Sequence, residues 1–165
     1  MASASLSSTD HVVGCVLADV TGSIEPAEAI RAIALGVFDT IDAHPWVGAQ
    51  LSNETWRSAK PWLFESGGRQ FKAFGVPERA RFAAVSAIVS YILGIAGQNA
   101  ANARASPREL DRSAFLASIV ARWTQLDPPE FPFVHQVAAQ LREHDDREQF
   151  LAGIDLILAG IATVR

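Results

Sequence analysis

The stretch FLAGIDLILAGI, residues 150–161, decides the fold class of this chain. The apolar side chains of this stretch and of the residues just after it fall at helical spacing in two neighbouring stripes. One stripe consists of Phe150, Ile154, Ile157, Ile161 and Val164, and the other of Leu151, Leu158 and Ala162. Gly153 and Gly160 lie one heptad apart, and a glycine inside a helix costs roughly 0.5–1 kcal/mol relative to alanine. We therefore expect a helix that is apolar on more than one face and that another helix approaches closely at these glycines.

A second apolar helix is expected to begin at Pro77 and to end near Arg104. It carries no formal charge between Phe82 and Ala103, and it also contains glycines. Because its apolar part is about 16 residues long, short of the roughly 20 that span a bilayer, we favour a helix buried on nearly all sides over a transmembrane helix.

Two helices of this kind each bury one face in their own subunit and need a cover for the rest. Contributed by two subunits, they would form an intermolecular four-helix bundle; the alternative is that both are central helices of a monomer. The predicted dimer interface consists of Val85, Val89, Ile92, Ala96, Phe150, Gly153, Ile154, Ile157, Gly160 and Ile161.

Length and composition narrow the class of protein. The 165 residues suffice for one domain, 49% of them are hydrophobic and 28 are alanine, which excludes a disordered chain and favours helix over sheet. The formal net charge of −4 provides no basic field for nucleic acid or an anionic membrane. The single cysteine, Cys15, excludes an internal disulfide and a cysteine-based zinc site, and Met1–Thr9 has no features of a secretory signal. We therefore expect a cytoplasmic protein that has no membrane partner.

Helical periodicity recurs along nearly the whole chain, and no alternating strand pattern appears. Start and stop signals predict an all-α chain of about eight helices, which cover approximately residues 10–20, 26–44, 53–60, 62–74, 77–104, 107–123, 134–141 and 146–165. Pro61 is expected to break or kink its helix, Gly75 to form a left-handed C-cap, and Ser106–Glu109 to form a capping box. Residues 10–165 are predicted to form one domain, and residues 1–9 to be disordered or derived from cloning.

The chain lacks the motifs of common enzyme sites. It contains no phosphate-binding loop, dinucleotide glycine motif, HExxH pair, CxxC pair or nucleophile elbow. His44 is better explained by the satisfaction of terminal helix carbonyls, and Asp155 by capping or an interface hydrogen bond. We therefore predict no catalytic residues, no metal ligands and no cofactors, and we do not expect an enzyme.

Aromatic residues are concentrated in one part of the chain: eight of the fourteen fall between residues 38 and 82. In a region interrupted by proline and loosened by Gly67 and Gly68, they could line a cavity for an apolar or aromatic molecule; an ordinary aromatic core is the alternative. Tyr91 could offer a hydroxyl and Trp123 an indole N–H to orient a ligand. The predicted ligand-binding residues are Phe38, Ile41, Trp62, Phe71, Phe74, Tyr91 and Trp123.

Four segments follow one another in a characteristic order: HPWV at residues 44–47, YILG at 91–94, FP at 131–132 and FLAGIDLILAGI at 150–161. In order and spacing they resemble the regulatory part of TetR-family transcriptional regulators, whose corresponding segments read RHPWL, (F/Y)xxG, an approach to the penultimate helix that ends in proline, and FxxGLDxLLDGL. The resemblance covers nearly the whole chain, from about Asp10 to Val164. Ala159 departs from it, because an acidic residue is common at that position.

The resemblance implies an all-α regulatory domain that dimerises and holds a small effector. The helices at 27–44, 61–75 and 77–104 would surround the effector pocket, and those at 77–104 and 146–164 would form the dimer bundle. The implied partners are a second copy of the chain and a small-molecule effector.

The helix-turn-helix head of that family has no counterpart here, because residue 10 already falls where the connecting helix should begin and Met1–Thr9 cannot form a helix-turn-helix. We therefore expect that the chain as given does not bind operator DNA, whether it is an isolated domain, the product of a truncated gene, or a stand-alone relative that forms heterodimers. Two other classes stay open, a small α-helical enzyme or carrier that uses the aromatic cavity and a helical interaction module without a ligand.

Overall fold

The computed structural model describes residues 25–44, 59–105, 112–143 and 145–164. Within these ranges the chain forms six helices and no strand: α1 (Pro26–Ala43), α2 (Ala59–Ala73), α3 (Glu78–Ala105), α4 (Arg112–Trp123), α5 (Pro132–Arg142) and α6 (Asp146–Ala162). The all-α prediction is confirmed. The predicted helix at 10–20, most of that at 53–60 and the capping box at 106–109 lie outside the described residues, so the count of eight stays a prediction.

Local signals explain where several helices begin and end. Pro26 lies in the first turn of α1, where its missing N–H removes no helical hydrogen bond. Pro61 lies in the first described turn of α2, which is continuous from Ala59 across it. Residues 51–58 lie outside the described residues, so the break or kink expected between the helix at 53–60 and α2 stays a prediction. Asp145 caps α6, because its carboxylate accepts a hydrogen bond from the backbone N–H of Glu148 at 2.8 Å.

The end of α2 is a complete C-terminal capping motif built on a left-handed glycine. Gly75 has a φ of 90°. The N–H of Gly75 bonds the carbonyl of Lys72 at 3.2 Å, and the N–H of Val76 bonds that of Phe71 at 2.9 Å. These two bonds satisfy carbonyls that the helix leaves free, and the turn they stabilise directs the chain back along α2 as α3.

Four helices, α1, α2, α3 and α6, enclose the hydrophobic core. α1 packs on the other three, and α3 packs on both α2 and α6. Phe71, Phe150 and Ile154 are among the side chains that are fully buried there. A ladder of stacked rings crosses the core, with centroids 4.8 Å apart between Phe38 and Phe150 and 5.5 Å apart between Phe150 and Tyr91. This ladder joins α1, α6 and α3.

Two ion pairs cross the α1–α6 contact. Arg31 Nε lies 2.6 Å from Asp155 Oδ1, and Arg147 Nε lies 3.1 Å from Asp39 Oδ1. In the first pair the arginine lies on α1 and the aspartate on α6. In the second pair the aspartate lies on α1 and the arginine on α6. Because the paired residues run in opposite order along the chain, α1 and α6 are antiparallel and the two pairs agree on one register.

α4 and α5 form a hairpin that packs chiefly on itself. Leu116, Val120 and Ala138 are its buried residues, and they are not part of the main core cluster. His135 Nε2 lies 2.8 Å from the carbonyl oxygen of Leu126 and ties α5 to the connecting loop. Among the described helices, no more than a marginal contact joins this hairpin to the rest.

α3 is long and apolar enough over Glu78–Asn99 to cross a membrane by length and composition alone. Only 29% of the most apolar part of this segment is buried within the chain, so burial on nearly all sides would need a cover from outside the chain and stays a prediction. Ala83, Ala87 and Gly94 are exposed on this helix, and so is Phe82 at 69%, which leaves an apolar face of α3 uncovered.

Candidate functional site

A small apolar cavity lies between α1, α2 and α3, the three helices to which the resemblance assigned the effector pocket. Its volume is about 20 Å³. That is enough for roughly one water molecule. The cavity is therefore nearly closed in this structure. Its walls are formed by Ile30, Ile33, Leu63, Gly67, Phe71, Val85, Ile88, Val89 and Ile92.

The chemistry of the cavity wall is aliphatic. Seven of its nine residues are branched aliphatics, and the other two are Phe71 and Gly67. None carries a polar side chain. Every wall residue except Gly67 is buried, so Gly67 marks the side on which the cavity approaches solvent.

Gly67 leaves a gap in the wall between α2 and α3. A Cβ at this position would lie 3.4 Å from Val85 Cγ1 and 3.7 Å from Val85 Cγ2, with no other atom within 4 Å. The next residue, Gly68, has nothing within 4 Å of the equivalent position. A side chain at Gly67 would therefore extend along the cavity wall, whereas one at Gly68 would not.

Of the seven predicted ligand-binding residues, Phe71 lines the cavity and the other six do not. Phe38 and Ile41 are buried elsewhere in the core, and Phe74 packs against its edge. Trp62 is 51% exposed, and Trp123 belongs to the α4–α5 hairpin. Phe71 is thus the one aromatic residue in the cavity wall. Aromatic residues that are close in sequence point to different sides of α1 and α2, so they do not form a common lining.

Tyr91, the sixth of these residues, is already engaged within the protein. Its hydroxyl donates a hydrogen bond to the carbonyl oxygen of Phe150 at 3.3 Å, and its ring stacks on that of Phe150. Burial raises the pKa of this hydroxyl above its ordinary value. Tyr91 therefore joins α3 to α6 and does not face the cavity.

Sequence reasoning missed the seven aliphatic residues of the cavity wall, three of which it assigned to the dimer interface. Ile30 and Ile33 belong to the apolar stripe of α1, while Val85, Val89 and Ile92 were assigned to the dimer interface. The signal that could have found them is their helical spacing, which puts them on a single face of each helix.

Six of the ten predicted dimer residues are buried in the chain's own core: Val85, Val89, Ile92, Phe150, Ile154 and Ile161. Ile157 packs against that core, and the ring of Tyr91 occupies the space above Gly153. Gly160 is exposed, with nothing within 4 Å of a Cβ built on it. The side chain of Ala96 lies outside the described residues. Whether any of these residues reaches a second chain stays a prediction.

The opposite faces of α3 and α6 are exposed, small and uncharged. We define the outer face as Ala83, Ala87, Ser90 and Gly94 of α3 with Ala152, Leu156, Ala159 and Gly160 of α6, all of which are exposed. Leu156 is 75% exposed, the most of any large apolar side chain described. Asp155, the charged neighbour on α6, is turned toward α1, where its hydrogen bond raises the pKa of Arg31. The outer face is thus an apolar surface that the chain itself leaves open.

Within the residues that the structure describes, no group of three or more histidine, cysteine, aspartate or glutamate side chains could hold a metal ion. The predicted lack of catalytic, metal and cofactor residues stays a prediction, because the described ranges do not cover the whole chain.

The described residues thus form an all-α domain with an apolar cavity among three helices and an open apolar face on two of them. Residues 27–165 match the family described as the tetracyclin repressor-like C-terminal domain. The chain therefore belongs to the TetR family of transcriptional regulators, as the resemblance indicated, through its C-terminal domain.

A solved structure supports this placement. The chain is similar to the transcriptional regulator SCO7222, a TetR from Streptomyces coelicolor, with 48% identity and a TM-score of 0.81 over 94% of this chain and 73% of that one. No curated protein matches the chain.

Proposed function

We propose that this chain is the regulatory domain of a TetR-like transcriptional repressor, which dimerises through α3 and α6 and binds a small-molecule effector between α1, α2 and α3. The observation that carries the proposal is that α3 has two apolar faces with different surroundings. One face of this helix lines the cavity, and its opposite face is apolar, small and open. A family of transcriptional regulators, rather than of enzymes, fits this arrangement.

The outer face supports the dimer. Contiguous exposed apolar surface on a soluble protein marks an interaction site, and the small residues on both helices allow another pair of helices to approach closely. The largest side chain on the face, Leu156, would be removed from water in such a contact. The bundle is therefore proposed to use Leu156 and its small neighbours rather than the buried stripes of α3 and α6.

The cavity supports effector binding because it is an apolar defect at the junction of three helices. Sites for small molecules are concave and mostly apolar. The helices already make fewer contacts at this cavity, so a ligand that separates them there disrupts the fewest packing interactions. Because the cavity is small, the helices around it are proposed to separate as the ligand enters.

DNA binding is not proposed for residues 25–164. All described helices from Ala27 onward fall within the regulatory-domain match, and the chain has no net positive charge. A gel-shift assay with the 165-residue chain is expected to show no sequence-specific binding. As part of a regulator of transcription, the domain is proposed to act in the cytoplasm.

Native mass spectrometry of the protein purified from its own host tests dimer and effector together. We expect a species of about twice 17.7 kDa that carries a co-purified small molecule, released on denaturation. A monomer at micromolar concentration would contradict the bundle. Turnover of a bound molecule would favour the enzyme alternative instead.

A further inference from the structure

We infer that the effector is an uncharged molecule with a slender hydrocarbon chain, which enters the cavity beside Gly67. The inference rests on the proposed effector-binding function and adds the chemical class of the ligand. It departs from the expectation of an aromatic pocket, because the wall is aliphatic and five of the six predicted aromatic contacts lie elsewhere.

The absence of polar groups from the wall excludes a charge on the buried part of the ligand. All nine wall residues are apolar or glycine, and eight of them are buried. A charge placed among them would lose its hydration and find no partner, and such burial is strongly unfavourable. A neutral ligand loses nothing comparable, and its apolar surface is removed from water.

The size of the cavity favours a chain over a ring. The space of about 20 Å³ holds roughly one water molecule, so any ligand must part α2 from α3. A ligand of larger cross-section pushes the two helices further apart, and more van der Waals contacts between their close-packed side chains are then lost. An extended methylene chain has the smallest cross-section among apolar molecules and therefore demands the least separation.

Gly67 is the point of entry because it is the one wall residue that has no side chain. It is the partly exposed member of the wall, and a Cβ built on it meets only the two methyl groups of Val85. A chain can lie beside the bare Cα and slide along Val85 toward Phe71, which is fully buried. The polar end of the ligand would stop beside Gly67, which is only partly exposed. An end group there loses part of its hydration, which a hydroxyl tolerates better than a carboxylate does.

The inference can be tested with three probes and a matched pair of variants. 1-Octanol, sodium octanoate and 1-naphthol would be titrated by calorimetry into the wild-type chain, Gly67→Leu and Gly68→Leu. The first variant places its side chain along the wall, and the second places the same side chain where nothing lies within 4 Å. Gly67→Ala, whose Cβ makes only ordinary contact with Val85, provides a milder block in case Gly67→Leu does not fold.

We expect 1-octanol to bind the wild type and Gly68→Leu equally, and to bind Gly67→Leu about tenfold or more weakly, since a loss of about 1.4 kcal/mol corresponds to that factor. Octanoate should bind the wild type about 100-fold more weakly than 1-octanol, because its carboxylate is ionised at neutral pH. Gly67→Ala should show a smaller loss in the same direction.

The outcomes separate the ligand class from the site. If octanoate or 1-naphthol binds the wild type at least as tightly as 1-octanol and loses affinity in Gly67→Leu, the site stands and the class is wrong. If the probes bind, and each binds Gly67→Leu as tightly as Gly68→Leu, the cavity is not the site, and the proposed effector site fails with it. If no probe binds while a molecule co-purifies from the host, the class is wrong and the effector function stands.

Discussion

The ring of Tyr91 on α3 lies directly over Gly153 on α6, in the space that a side chain at residue 153 would occupy. A close approach was expected at Gly153 between helices of two subunits. The structure places it within one chain, where the hydroxyl of Tyr91 also bonds the carbonyl of Phe150. The glycine is therefore what allows α3 and α6 of the same chain to pack at this distance.

Gly153→Ala is expected to destabilise the fold by about 1–3 kcal/mol, because the new methyl group overlaps the ring of Tyr91 and forces it off Phe150. The free energy of unfolding in urea measures the effect. Gly68→Ala is the control: nothing lies within 4 Å of its new Cβ, and it should stabilise the chain by roughly 0.5–1 kcal/mol. Equal stability of the two variants would contradict the close approach of α3 to α6.

Stability at high pH should depend on Tyr91. Burial raises the pKa of its hydroxyl above 10.0, so the unfolded chain loses this proton at a lower pH than the folded chain does. This contribution is complete below about pH 10 and is lost as the pH rises toward the pKa of the folded state, so the free energy of unfolding falls there. Tyr91→Phe should lack this component.

Because Tyr91 is the one tyrosine of the chain, the ultraviolet absorbance of tyrosinate reports its titration directly. The measurement compares the native protein with the protein in denaturant. A native pKa equal to the denatured one would show that the hydroxyl is freely hydrated and does not bond Phe150.

The Arg31–Asp155 pair should contribute modestly to the α1–α6 register. Its side chains are 31% and 51% exposed, and water screens such pairs, so a double-mutant cycle with Arg31→Gln and Asp155→Asn is expected to give a coupling of about 0.5–1 kcal/mol. Moderate salt should reduce this coupling.

The pair between Arg69 and Glu65 provides the comparison for that cycle, because both side chains are 69% exposed and their charged atoms lie 3.7 Å apart. It should couple by no more than about 0.3–0.5 kcal/mol. A coupling between Arg31 and Asp155 below this value would mean that the short distance between them contributes nothing to the register.

Leu156→Arg is expected to separate the proposed dimer without unfolding the protomer. The side chain is 75% exposed in the single chain, so a charge is tolerated there, whereas in a bundle contact it would be buried without a partner. Sedimentation should show a folded monomer, in contrast to a wild type of about twice 17.7 kDa.

Phe133→Arg is the matched control for the dimer face. Phe133 is 69% exposed, but it lies on α5 in the hairpin, so the variant should dimerise like the wild type. Dissociation caused by Phe133→Arg, with Leu156→Arg still dimeric, would move the interface from α3 and α6 to the hairpin.

The helices themselves could be predicted from the sequence because their ends depend on neighbouring residues. Pro26 begins α1, Gly75 adopts the left-handed conformation after α2, and Asp145 caps α6. Pro61 is a less specific signal, because proline fits the first turn of a helix as well as a break, and the described part of α2 runs through it.

The candidate site could be predicted only in outline. The three helices around the cavity follow from the family resemblance, but Trp62 and Phe38 do not line it, and Val85 and Ile92 do. A concentration of aromatic residues along the chain says nothing about which way each ring points, because that depends on the rotation of each helix about its own axis.

By itself, the sequence determined an all-helical chain of this family, with two helices apolar on more than one face. Only the tertiary structure decided which face is which: Val85 and Ile154 fill the core, while Ala87 and Leu156 stay open. The physical reason is that helical spacing is a local property, whereas burial depends on residues far along the chain, as where Tyr91 meets Gly153. FLAGIDLILAGI at 150–161 thus specified its helix but not the partner for each side of it.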